Sequence, residues 1–148
     1  MRRKIVAANW KMNMSLYETE NFWKVFDTEI SESTNIEIVI APPFTALYKL
    51  SELTAKSQKV RLGAQNMHFE KSGAYTGEIS ATMLRELFVR YVILGHSERR
   101  QHFGETNELI NKKVLAALAS QLRVILCVGE TLAEREAGKE KEVVEKQL

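Results

Sequence analysis

The sequence is poor in several things at once: among 148 residues it has one cysteine, two prolines and seven glycines. A single thiol, Cys127, excludes an internal disulfide and suits a reducing compartment, so a packed core has to hold the fold. It stands in the apolar run VILCV, which favours a small packed side chain over a reactive thiol. Scarce glycine and proline exclude a collagen-like or low-complexity chain, and 45% hydrophobic with 27% charged residues argues against disorder. No apolar run approaches the roughly 20 residues of a membrane span. The opening MRRKIVAANW is broken by Asn9 and Lys11, unlike a signal peptide, and reads as mature protein. Charge of one sign is also lacking: 21 Lys and Arg against 19 Asp and Glu give +2, which predicts neither nucleic acid nor membrane as a partner. The expectation is a cytoplasmic protein whose anionic partner, if any, is small and held locally.

What the chain does have is a repeated unit. Five short aliphatic runs stand at Lys4–Ala8, Ile36–Ala41, Val60–Ala64, Tyr91–Gly95 and Val124–Val128. Each is strand length, and each is apolar on both faces, as in a parallel sheet covered on two sides. Helical spacing follows each run. Ser15–Glu18 reads as a capping box ahead of Phe22, Trp23, Phe26 and Ile30. Leu47, Leu50 and Leu53 form the next stripe, Ser80 reads as an N-cap before Met83, Leu84 and Leu87, and Ile110, Val114, Ala117 and Leu118 make another. Thr131–Glu134 is a second capping box. The units recur roughly every 30 residues, the length of one strand-helix-strand crossover. Right-handed crossovers leave two common α/β layouts, a doubly wound sheet or part of an eightfold barrel.

In both layouts ligands gather at the C-terminal ends of the strands. There the chain places Asn9 and Lys11, then Gln65 and Asn66, then His96 and Glu98, then Glu130. Lys11 suits a fixed positive charge for a phosphate or an enediolate oxygen better than a Schiff-base amine. His96, next to Ser97 at a helix start, meets the positive helix end, which favours the neutral ring as a hydrogen-bond donor. Plainer readings stand beside these. Lys11 alone reads as a solvated lysine, Asn9 as a turn former, and Glu98, Arg99 and Arg100 as an ion-pair network with Glu105. His68 and His102 show no partnering pattern and read as surface residues. No G-x-G-x-x-G follows the first strand, so a dinucleotide site loses its main support.

Five blocks then carry a resemblance: AANWKMN (7–13), LGAQN (62–66), GAYTGEIS (73–80), YVILGHSERR (91–100) and ILCVGETL (125–132). Together they resemble the triosephosphate isomerase family. The resemblance implies a TIM (β/α)8 barrel, here an incomplete one of about five parallel strands with flanking helices. It also implies interconversion of dihydroxyacetone phosphate and glyceraldehyde 3-phosphate, in glycolysis and gluconeogenesis, with no cofactor and no metal. It assigns Lys11, His96 and Glu98 as catalytic and Asn9 and Lys11 as substrate-binding. His96 matches the family's electrophile, whose neutral state is the known behaviour of this family. Glu98 matches the glutamate that contacts the lysine. Residues 65–78 resemble the long third loop that enters a partner's site, with Thr76 near its tip and Met14 in the receiving region.

The family's general base lies in a stretch resembling YEPVWAIG, and no such stretch occurs in residues 1–148. Barrels of this type have about 250 residues. The sequence therefore reads as a single partial domain, 1–148, holding five strands and part of the helix after the fifth. Weak or absent isolated activity is the expectation, because general-base catalysis is worth roughly 10²- to 10⁴-fold. The first and fifth strands present sheet edges, so a homodimer or higher homo-oligomer is expected. The alternatives are a non-catalytic, self-associating half-barrel with residual anion binding and, last, a nucleotide-binding α/β domain.

Overall fold

A computed structural model describes residues 4–30, 36–57 and 59–148. Five parallel strands, β1 (Lys4–Asn9), β2 (Ile36–Ala41), β3 (Val60–Ala64), β4 (Tyr91–Leu94) and β5 (Arg123–Leu126), pair in chain order to form a half-barrel. The aliphatic runs found them to within two residues at either end. The register aligns Ala8 with Ile40, Ile40 with Leu62, Ala64 with Val92, and Leu94 with Leu126. The C-terminal ends of all five strands therefore lie along one rim.

The helices are α1 (Leu16–Glu29), α2 (Phe44–Thr54), α3 (Ala81–Glu86), α4 (Ser97–Phe103), α5 (Asn107–Ala119), α6 (Leu132–Glu136) and α7 (Glu140–Gln147). Both capping boxes form. The Ser15 and Thr131 hydroxyls accept from the Glu18 and Glu134 amides, and those glutamates accept from the capping residues' N–H groups. Ser80 caps α3 as its sequence suggests. The fourth unit differs from expectation in carrying two helices, because Gly104, at φ +64°, ends α4 and Thr106 caps a fresh helix, α5. The stripe expected on α5 also shifts. Ile110, Lys113 and Ala117 take the inner line, and Leu118 is 56% exposed. Met83, on the short α3, is likewise half exposed, since one and a half turns bury only Ala81 and Leu84.

The core lies between one sheet face and the helices, with Ile40, Leu62, Val92 and Leu94 meeting Trp23, Leu47, Leu50, Leu84 and Ala117. Leu47 and Leu50 are fully buried, and each contributes about 2 kcal/mol through the water-accessible surface it loses. The strands' alternate residues face the other way, where burial is uneven. On β1, Ile5 and Val6 are 48% and 57% exposed, against the expectation that both faces of every strand are covered. The cause is position: β1 has β2 on one side only among the described residues. Cys127, read as buried, is half-buried, and burial still pushes its thiol up, away from thiolate.

Away from the rim, polar groups brace the open face of the sheet. The Arg123 guanidinium on β5 donates to the Tyr91 phenol at 2.8 Å and to Glu37 Oε2 on β2 at 3.2 Å. Arg61 Nε lies 3.7 Å from Glu37 Oε1.

A second, deeper network ties β3 to α4 and α5. Lys113 Nζ donates to Glu105 Oε1 at 2.6 Å and to Asn66 Oδ1 at 3.0 Å, while Arg99 Nε donates to the same Glu105 oxygen at 2.7 Å. The side chains of Lys113 and Glu105 are 4% and 3% exposed. Burial pushes the Glu105 carboxyl up, but the hydrogen bonds from Lys113 and Arg99 outweigh it and hold the group below the usual carboxylate range. Because the folded value is the lower one, this stabilisation is complete above the ordinary range of about 4.3 and is lost as pH falls through the folded value. Of the expected network of Glu98, Arg99 and Arg100 with Glu105, Arg99 reaches Glu105 while Glu98 and Arg100 bond elsewhere; Lys113 as Glu105's second partner, and Asn66 as Lys113's, were not expected. Lys113→Met should cost about 3 kcal/mol in urea unfolding at neutral pH, since it strips one partner from a buried charge. The loss should shrink in acid, and a variant as stable as the parent at pH 7 would contradict this account.

Candidate active site

Lys11 sits two residues beyond β1 with φ +54°, a left-handed conformation that lysine seldom adopts. Three hydrogen bonds around this turn hold it there. Its N–H donates to Asn9 Oδ1 at 3.0 Å, and its carbonyl accepts from Gln65 Nε2 at 2.9 Å. The same Gln65 amide donates to Ala41 O at 2.9 Å, so the ends of β2 and β3 jointly fix the turn. Strain at one residue persists only where neighbours over-determine it, and here they do.

His96 is positioned from the other side. After β4, Gly95 turns the chain at φ +74°, and His96 becomes the N-cap of α4. Its Nδ1 accepts from the Glu98 N–H at 3.2 Å. A ring nitrogen that accepts carries no proton, so the neutral imidazole has its proton on Nε2.

Glu98 joins the two halves. Its Oε1 accepts from Lys11 Nζ at 2.7 Å, and its Oε2 lies 3.5 Å from His96 Nδ1, a contact that becomes an ion pair only when the ring is protonated. Lys11 and Glu98 are about half exposed, whereas the His96 side chain is 22% exposed. The Lys11 hydrogen bond, more than any other influence, holds the Glu98 carboxyl below the usual range; His96 and His102 act in the same direction. The carboxylate thus stays charged in mild acid, and the pair's small contribution to folding disappears only as pH falls through that lowered value.

Other rim residues do not join this cluster. Glu130 Oε1 accepts from Arg135 Nε at 2.6 Å within its own segment. Asn66 turns into the Lys113 network. His68, read as an unpartnered surface residue, instead stacks on Phe69 at 4.4 Å and meets the tilted Tyr75 ring at 4.2 Å, and its Nδ1 accepts from the Glu70 N–H. It packs a loop that closes through His68 N–H to Ile79 O at 2.8 Å, with Thr76 exposed at the tip. Met14, at φ +78°, is half-buried. His102 is exposed on α4, as expected.

The triosephosphate isomerase family model matches residues 4–148. The chain belongs to the triosephosphate isomerase family. It is 57% identical over 149 residues to a triosephosphate isomerase of Dictyoglomus thermophilum and 51% identical over 148 residues to that of Alkaliphilus metalliredigens, both across the full chain. It is 51% identical over 146 residues to the triosephosphate isomerase of Aquifex aeolicus. In each case the chain spans 59% of the relative's length. Within the triosephosphate isomerase family frame, Lys11, Glu98 and His96 fall on one rim of the half-barrel, with Glu98 in contact with each of the other two. Gln65 was placed on the rim by sequence but without its grip on Lys11. The only signal for that grip was its position one residue past β3.

Glu98→Ala should leave the urea midpoint almost unchanged, because a half-exposed pair adds little to stability, while freeing the Lys11 amine. The lysine Nζ resonance should then lose its hydrogen-bonded shift. An unaltered Nζ signal in the variant would show that the pair does not form in solution.

Proposed function

We propose that the chain supplies the lysine and histidine side of a triosephosphate isomerase site. It would interconvert dihydroxyacetone phosphate and glyceraldehyde 3-phosphate, a reaction of glycolysis and gluconeogenesis suited to a reducing cytoplasm. The supporting observation is the Glu98 carboxylate, 2.7 Å from Lys11 Nζ and 3.5 Å from His96 Nδ1. In this reading an arriving phosphorylated triose draws the Lys11 ammonium from Glu98, an exchange made easy by the pair's exposure. The Nε2–H of His96 donates to the substrate carbonyl and stabilises the oxyanion that grows as a C–H proton leaves. Asn9, whose Oδ1 is committed to the Lys11 N–H, turns its amide NH₂ to the substrate. Glu98 keeps the lysine and ring in place between turnovers. The proton removal needs a base, and none resembling the family's lies in residues 1–148. We take these residues as one partial barrel domain with weak or absent turnover on its own.

A titration with a phosphorylated enediolate mimic tests this directly. The His96 ring signals should move, and Lys11→Met should abolish the movement. An unperturbed ring in the parent chain sinks the reading. In a coupled assay, turnover of residues 1–148 within tenfold of a complete relative would contradict the assignment of the base elsewhere.

A second reading has its own support in the exposed Ile5 and Val6 on β1, which favour self-association as a homodimer or larger homo-oligomer. No helix among the described residues is long and apolar enough to cross a membrane, so a bilayer-spanning helix does not account for that surface. Sedimentation at micromolar concentration should show more than monomer, and a compact monomer would refute the association.

A further inference from the structure

His96 can hold its ring only if the peptide that precedes it is held. That peptide's carbonyl belongs to Gly95, which lies beyond the last residue of β4 and outside the strand ladder. It accepts instead from the Nε of Arg100, at 2.9 Å. The same guanidinium donates through Nη1 to Asn107 Oδ1 at 2.6 Å, and Asn107 Nδ2 donates to Lys146 O at 3.1 Å. Arg100 therefore links the end of β4 to the first residue of α5 and onward to α7.

The surroundings leave the guanidinium little room. A Cβ built on Gly95 would lie 3.2 Å from Arg100 Nη2, 3.1 Å from Cys127 O and 3.3 Å from Ile110 Cδ1. Glycine at 95 is thus required twice, by its φ of +74° and by the groups packed over its α-carbon. Arg100 Nη2 is buried and has no hydrogen-bond partner among the described residues. A donor left unpaired is costly, so the other two bonds of this side chain must outweigh it. The arrangement also closes on itself. His96 caps α4, the Arg100 N–H donates back to His96 O at 3.1 Å, and the Arg100 side chain then grips the carbonyl just before His96.

We propose that Arg100 is a positioning residue for His96: by holding the Gly95 carbonyl it sets the Gly95–His96 peptide plane and hence the direction in which Nε2–H points. This deepens the function proposed above and rests on it for its catalytic meaning. The dependence of the ring on Arg100 is nonetheless measurable without turnover. Arg99, the neighbouring guanidinium, serves the Glu105 network instead and makes a natural control.

The test is ¹⁵N NMR of the His96 ring and the Glu98 amide in the chain as it stands. In the parent, Nδ1 should show the shift of an acceptor nitrogen and Nε2 that of a protonated one. Arg100→Met should bring the two shifts together, as the ring loses its single tautomer and the Glu98 N–H loses its fixed acceptor. Arg100→Lys, which keeps one donor within reach of Gly95 O, should restore part of the separation. Arg99→Met should lower stability without moving the ring signals. If Arg100→Met does not fold, Asn107→Ala, which releases the far end of the guanidinium, should still shift the His96 ring. A folded Arg100→Met, or failing that a folded Asn107→Ala, with parental His96 and Glu98 signals overturns the proposal. Titrating the mimic into the same samples separates the two claims. If the parent ring ignores the mimic, the isomerase reading fails while the Arg100 dependence stands or falls on the shifts. If the parent ring responds, Arg100→Met should weaken the mimic roughly tenfold.

Discussion

One carboxylate touches both Lys11 and His96. Glu98 holds the Lys11 ammonium at 2.7 Å, faces the His96 ring at 3.5 Å, and lends its own backbone N–H to His96 Nδ1. The three contacts serve different ends. The amide bond selects a tautomer, which is a matter of geometry and insensitive to salt. The ion pair is electrostatic, half exposed and easily broken, so it holds a cation ready without trapping it. A buried version of the same pair would be harder to open, because each partner would then leave an uncompensated charge in the protein. Exposure is therefore part of the design at Lys11, just as burial is at Lys113.

The contrast between those two lysines runs through the fold. Lys113 is 4% exposed and shares its carboxylate with Arg99, whereas Lys11 is 52% exposed and shares its carboxylate with the His96 ring. The first arrangement fixes β3 against α4 and α5. The second leaves a charge at the rim that a small anion can claim. Between them stands α4, which carries Glu98 and Arg100 toward the site and Arg99 toward the buried network. A helix of seven residues has little intrinsic stability. These side-chain bonds on both flanks are what keep it in register.

Much of this was legible in the sequence, and the residues show why. Strand positions followed from aliphatic runs, which mark a strand by local composition and length without any knowledge of its partners. The capping residues Ser15, Ser80 and Thr131 were readable because a cap is a local contract over three or four residues. The rim residues followed from where the strands ended, and their association with one family from five sequence blocks. What escaped was non-local. Nothing near Lys113 announces Asn66, 47 positions away, and a lysine in an apolar stripe reads as a solvated residue until its partner is seen. His68 has no patterned neighbours, yet a loop folds Tyr75 onto its ring. The split of α4 from α5 depends on one left-handed glycine, Gly104, among several in the chain.

The Glu37–Arg123 bridge has a mechanical meaning of its own. Strands β2 and β5 have β3 and β4 between them, and on a flat sheet three such steps span roughly 14 Å, too far for two side chains standing upright. That these groups meet at 3.2 Å means the sheet is bent like a bow, with this bridge as the string. The string lies at one end of the strands and the lysine–histidine pair at the other. The same curvature brings the tips of the first and fourth strands, which lead to Lys11 and His96, within reach of the single carboxylate of Glu98.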